Sequence, residues 1–247
     1  MSINTPEELE HLRTAGKIVH EMLIAMRQHA APGVTTAELD AVGADVMRQN
    51  GAKSAPSMVY GFPGTSCISI NEEAVHGIPS KRQLQDGDLL KLDVTIEKNG
   101  FMADAAVTIP VGNISRQKRD LIDCAKRAFE KAMLVAHAGS CVSEIGRVIE
   151  SEVRLCGFSV IRELGGHGIG RTIHEAPSVP NYADPLAHEI LTEGLVITVE
   201  PIITAGTGRA TLAKDGWTIR TADRKPSAHY EHTIVITKGE PILLTAA

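Results

Sequence analysis

Five residues of this sequence form a candidate metal-ligand set, four of them on apolar stretches that want no charge. They are Asp93 in LLKLDVTIE, Asp104 in FMADAAVTIPV, Glu200 in LVITVEP, Glu231 in EHTIVIT, and His167 in the glycine-rich loop GGHGIG. A single acid on a strand belongs in solvent. Four acids gathered by folding would repel one another and lose hydration unless protonated or bound to cations. One imidazole with four carboxylates is a mostly hard, oxygen-rich donor set, suited to two divalent ions such as manganese, iron, cobalt or zinc. Two ions roughly 4 Å apart share carboxylates and supply the water that attacks a carbonyl or phosphoryl centre. From the residues alone, the expectation is a dinuclear metal hydrolase.

Whether the acids meet depends on the elements that carry them. Asn99-Gly100 is a tight-turn signal between two apolar runs, so Lys91 to Asp104 reads as a β-hairpin. A two-residue turn puts Thr95 opposite Asp104 and makes Asp93 and Asp104 diagonal neighbours on one face. A four-residue loop would set them directly opposite, still on one face, whereas a three-residue loop would separate them. Helix starts are marked by Thr5-Pro6-Glu7-Glu8 and by Thr35-Thr36-Ala37-Glu38, each read as a capping box. The first helix runs to about His29, and the second stops at Gly51. A third begins near Ser115 and ends before Gly139; a fourth runs from about Ser143 to Gly157.

The order helix, helix, strands occurs twice, and spacings recur with it. Gly33 stands five before Glu38 and eighteen before Gly51, as Gly139 stands before Glu144 and Gly157. VHGIPS around His76 is echoed by GHGIGR around His167. Gly87 stands six before Asp93 and Gly194 six before Glu200; Asp104 stands eight before Gly112 and Glu231 eight before Gly239. The expected organisation is one unit, 1–247, of two similar halves, roughly 1–113 and 114–247.

Composition excludes several classes. A net charge of -5, no Lys/Arg run and only eight aromatic residues leave no electrostatic footprint for nucleic acid. No apolar run approaches a membrane span, and the start MSINTPEELEHLR lacks a secretory pattern, so the expected location is the cytoplasm. Cys67, Cys124, Cys141 and Cys156 form no CxxC pair, which argues against a thiolate zinc site or a disulfide framework.

Taken in order, HGIP, LDVT, GFMADAAV, GGHGIGRTIHE, TVEP and EHTIVIT resemble a type I methionine aminopeptidase from the first helix to Leu244. That resemblance implies an α+β pita-bread fold, with pseudo-two-fold halves around a curved antiparallel sheet. It implies that Asp93 and Asp104 bind one metal, that Asp104 also reaches the second with His167 and Glu200, and that Glu231 bridges both. His76 and His174 would contact the substrate, and Glu200 would be the general base. Tyr60, Phe62, Cys67 and Trp217 would wall a methionine pocket. Asn71, Glu73 and Ser227 would hold a sodium or potassium ion, the first two through backbone carbonyls. The implied partners are nascent polypeptide N-termini, met at the ribosome by a monomer.

Two departures from the family pattern concern the pocket: Ile173 stands where an aromatic residue is common, and SAPSMVYGFPGTSC differs from a frequent version of its loop. His174 and Glu200 are only 26 positions apart, too close for the insertion of a type II enzyme. Two other functions share the fold: a peptidase cleaving before proline, which usually carries an additional N-terminal domain, and a metal-free binding scaffold. The intact ligand set argues against the scaffold.

Overall fold

The computed structural model describes residues 1–246, so the last position of the expected unit, 247, lies outside them. Among the described residues five helices form: α1 (Pro6–His29), α2 (Thr36–Gln49), α3 (Ala55–Tyr60), α4 (Arg116–Met133) and α5 (Val142–Leu155). The four long ones follow the sequence signals. At α2 both halves of the capping box are made: Thr35 accepts from Glu38 N–H at 3.2 Å, and Glu38 accepts from Thr35 N–H at 2.7 Å. At α1 the box is open, because Glu8 accepts from Asn4 N–H instead, one residue before the cap. The short α3 was not expected. It rests on a Ser54 cap, a proline in its first turn and Gly61 in the left-handed region at its end.

The hairpin forms with the two-residue turn. Strands Leu89–Lys98 and Phe101–Pro110 pair Lys98 with Phe101, Thr95 with Asp104 and Asp93 with Ala106. Asn99 and Gly100 both take positive φ, 53° and 81°, the conformation that a right-twisted two-residue connection requires. Asp93 and Asp104 are therefore diagonal neighbours on one face.

This hairpin lies near one edge of a nine-stranded sheet whose pairings are all antiparallel. Strand Glu231–Val235 follows it, then Val196–Val199, then Gly165–Gly168 and Glu175–Pro180. Alternation along the strands divides the sheet into two faces. Leu90, Leu92, Val94 and Ile96 pack against Val19, Met22, Met26 and Leu39 of α1 and α2. Ile197, Val199 and Ile234 pack in the same way among Leu121, Phe129, Ile145 and Ile149 of α4 and α5. Lys91, Asp93, Thr95, Asp104, Glu231 and Thr198 alternate with these residues, so all point to the face away from the helices.

The repeated glycines make repeated hydrogen bonds. Gly33 N–H donates to Leu84 O and Gly139 N–H to Leu191 O, while Gly87 N–H donates to Val111 O and Gly194 N–H to Ile236 O. The apolar stretch LVITVEPII is two strands, not one. Val196–Val199 stays in the large sheet, and Ile202–Thr204 leaves it to pair with Ser227–His229 and Ser159–Val160. The break is at Glu200-Pro201, since proline has no N–H for the ladder. Glu200 is thus presented at a strand end.

Candidate active site

A cavity of about 210 Å³ opens on the sheet face away from the four long helices and is lined by Asp93, Asp104, His167, Glu200 and Glu231. Asp93, Asp104 and Glu231 come from three adjacent strands, Glu200 from the end of the next strand, and His167 from the strand beyond it. Oxygens of Asp104 and Glu231 and a nitrogen of His167 lie within 4.8 Å of one another. Two buried oxygens here, Asp104 Oδ1 and Glu231 Oε1, have no hydrogen-bond partner. Buried carboxylate oxygens without a partner fit a donor set built for divalent cations.

Electrostatics describe the same strain. Burial pushes Asp93 up to about 7, with the charge of Glu231 adding to it. Burial and then Glu231 also push Asp104 and Glu200 well above the carboxylate range. Burial would raise Glu231 too, but contact with His229 outweighs it and draws this carboxyl down. Four acids at this separation cannot all be ionised without a cation between them.

His229 was not anticipated. Its ring is buried, and Nε2 lies 3.2 Å from Glu231 and 3.5 Å from Glu200. Burial disfavours its charge, yet those two carboxylates outweigh burial and raise it to about 10. The signal was present: in SAHYEHT, His229 stands two before Glu231.

His76 and His174 line the same cavity. His76 has φ 58°, so the chain turns sharply as strand Glu73–Val75 ends and aims the ring inward. The Tyr60 hydroxyl lies 2.6 Å from His174 Nδ1, and the His174 ring packs against that of His167 with centroids 4.2 Å apart. Burial, then His167 and His76, push His174 down to about 4, so its imidazole is neutral at physiological pH. Phe62 and Trp217 meet edge to face at 5.3 Å, and both line the cavity with Tyr60, Cys67 and Ile173. The residues expected as pocket walls are therefore beside the acids.

Asn71, Glu73 and Ser227 also come together, but outside the cavity and around a different cation. The Lys91 ammonium donates to Asn71 O at 2.7 Å, Ser227 O at 3.2 Å and Ser227 Oγ at 3.4 Å. Glu73 O accepts from Ser227 Oγ at 3.3 Å. The Asn71 and Ser227 oxygens are among those expected to hold a sodium or potassium ion, and here a lysine ammonium contacts them. Burial pushes Lys91 down to about 7 against the pull of Glu73 and Glu72.

The model of Metallopeptidase family M24 matches residues 10–238. The chain belongs to that family. Methionine aminopeptidase 2 of Bacillus subtilis (strain 168) is 43% identical over 247 residues, covering 99% of each chain. A methionine aminopeptidase of Clostridium perfringens is 40% identical over 243 residues, covering 98% of each. The crystal structure of methionine aminopeptidase from Thermotoga maritima superposes with a TM-score of 0.96 at 34% identity, over 100% of both chains. The fold is the pita-bread fold, shared also with a prolidase from Pyrococcus furiosus (TM-score 0.80, 24% identity), of which this chain covers 65%. The protein is a peptidase whose family uses divalent metal.

In this peptidase the glycines beside His167 are steric requirements. A Cβ on Gly168 would stand 2.2 Å from Ala176 O, and one on Gly166 2.4 Å from Thr198 O. Gly168→Ala should force the strand Gly165–Gly168 off its neighbour and move His167 with it. The expected result is a roughly 10–100-fold loss of divalent-metal affinity in calorimetric titration; unchanged affinity would show that His167 does not depend on this packing.

Proposed function

We propose that this M24 peptidase removes the N-terminal methionine from nascent polypeptides whose second residue is small. It would act in the cytoplasm as a monomer, on polypeptide N-termini emerging from the ribosome, as one unit of two similar halves. The observation that carries the proposal is the single cavity where five potential metal ligands meet an apolar wall of Phe62, Cys67 and Trp217. The full-length likeness to proteins named methionine aminopeptidases supports the substrate.

Asp93, Asp104, His167, Glu200 and Glu231 would hold two divalent ions, manganese, iron, cobalt or zinc. Such ions would supply a Lewis acid for the scissile carbonyl and a water that is nucleophilic at neutral pH. The chain's own groups do the rest. Glu200 takes the proton of the attacking water and passes it to the leaving amine. With Tyr60 donating to Nδ1, neutral His174 keeps its proton on Nε2 and can donate to the oxygen of the scissile carbonyl as charge develops. His76 contacts the substrate's N-terminal backbone. The buried His229 ring, its Nε2 3.2 Å from Glu231 and 3.5 Å from Glu200 without a hydrogen bond to either, would hold both carboxylates by charge.

Cleavage before proline is the second reading, favoured by the shared fold of the prolidase. Metal-loaded protein incubated with Met-Ala-Ser and with an Xaa-Pro peptide, each with and without chelator, separates the two. Methionine released only from the first peptide, and none with chelator, is expected. Proline-directed cleavage would replace methionine removal, and no cleavage of either peptide would leave a binding scaffold.

A further inference from the structure

Lys91 is among the largest wholly buried side chains in the described residues, 1% exposed, and it serves neither the cavity nor the apolar core. It shares a face with Asp93, two positions along the same strand, and is paired across the sheet with Ser69 and Thr108. From there its stem crosses to a pocket of oxygens from two distant segments. One is the Asn71 carbonyl, exposed by a left-handed backbone turn at φ 53°. The others are the carbonyl and hydroxyl of Ser227. Converging carbonyl and hydroxyl oxygens with no carboxylate among them are the chemistry of a weakly charged, hard cation.

We propose that the Lys91 ammonium is a built-in monovalent cation, which fills this oxygen site and leaves the protein with no sodium or potassium requirement there. Only an ammonium has a proton for each of the three oxygens. A tethered charge also avoids the loss of freedom that a bound ion suffers on each association. Its place in the sheet gives it a task. Ser227 begins the strand Ser227–His229, which leads directly to Glu231, and Lys91 belongs to the strand of Asp93. The ammonium therefore ties the strand carrying Asp93 to the segment carrying His229 and Glu231, and Lys91 is a positioning residue for the metal centre.

Thermal unfolding tests this without reference to activity, so it stands whether or not methionine is the substrate. The full chain, loaded with manganese, is melted in equal concentrations of sodium, potassium or choline chloride. The wild type should melt alike in all three. Lys91→Ala opens the oxygen site; it should melt lower in choline chloride and regain roughly 5–10 °C in sodium or potassium at about 100 times the dissociation constant. Lys91→Met, whose stem still fills the space, should show no such gain. A purely structural role for the side chain would lower both variants equally in every salt, and that result would overturn the proposal. So would a wild type stabilised by sodium or potassium over choline. Thallium(I) titration of the wild type, followed by thallium NMR, decides the matter even if Lys91→Ala does not fold. No bound signal supports the built-in cation, and a bound signal displaced by potassium overturns it.

Discussion

Glu200→Gln should leave a folded protein whose turnover of Met-Ala-Ser falls by about 100-fold or more, the usual contribution of a positioned general base. Glutamine keeps the shape and one oxygen of glutamate but cannot accept the proton of the attacking water. Placement makes Glu200 the candidate among the four acids. Asp93, Asp104 and Glu231 are held within paired strands, whereas Glu200 follows Val199 at the point where the chain leaves the sheet. Its backbone is fixed by the Asn181 side chain, which donates to Glu200 O at 2.8 Å. Because Glu200 is also an expected ligand, metal content must be measured on the same sample. Two ions retained with turnover lost assigns the proton transfer to Glu200, seen as a fall in kcat with little change in KM. Substantial remaining turnover would remove Glu200 from that role.

Much of this site was legible in the sequence because its supports are local. Asn99-Gly100 specifies its own turn, and the turn sets the register that aligns Asp93 with Asp104. Thr35 and Ser115 name the starts of α2 and α4 because a cap is a contact within three residues. Glu231 and Glu200 could be placed with the hairpin acids because their spacings to following or preceding glycines repeat. What escaped depends on long-range packing. The six residues of α3 are too few to show a helical period, and only the fold shows that Tyr60 at its end meets His174, 114 positions away. Lys91 stood two residues before Asp93, but nothing local tells whether a strand lysine points to solvent or to Ser227, 136 positions on. His229 has the same difficulty: beside a strand acid it reads as a surface residue until Glu200 arrives from another strand.

The acids that make the site also make the metal-free protein pH-sensitive. Asp93 has a folded pKa of about 7, well above its ordinary unfolded value of about 3.9, and Asp104 and Glu200 are raised in the same direction. A group raised on folding contributes stability that is complete below its unfolded pKa and is lost as pH rises through its folded pKa. His229, raised to about 10, has the same sign from its unfolded value near 6.5 upward. Between pH 6 and 8, then, the cluster's loss of protons should cost metal-free protein stability on the order of several kcal/mol, only partly offset above pH 7 by Lys91, whose folded pKa of about 7 lies below its unfolded value. Divalent metal removes this liability by replacing the protons. Binding should release protons, and affinity should fall steeply below pH 7. In thermal melts the chelated sample should drop from pH 6 to pH 8 while the manganese-loaded sample holds, so that the gap between them widens with pH. Calorimetry in two buffers of different ionisation enthalpy should count the released protons. A gap that stays constant, with no proton release, would mean that the carboxylates are already ionised without metal, and the charge cluster would need another counter-ion.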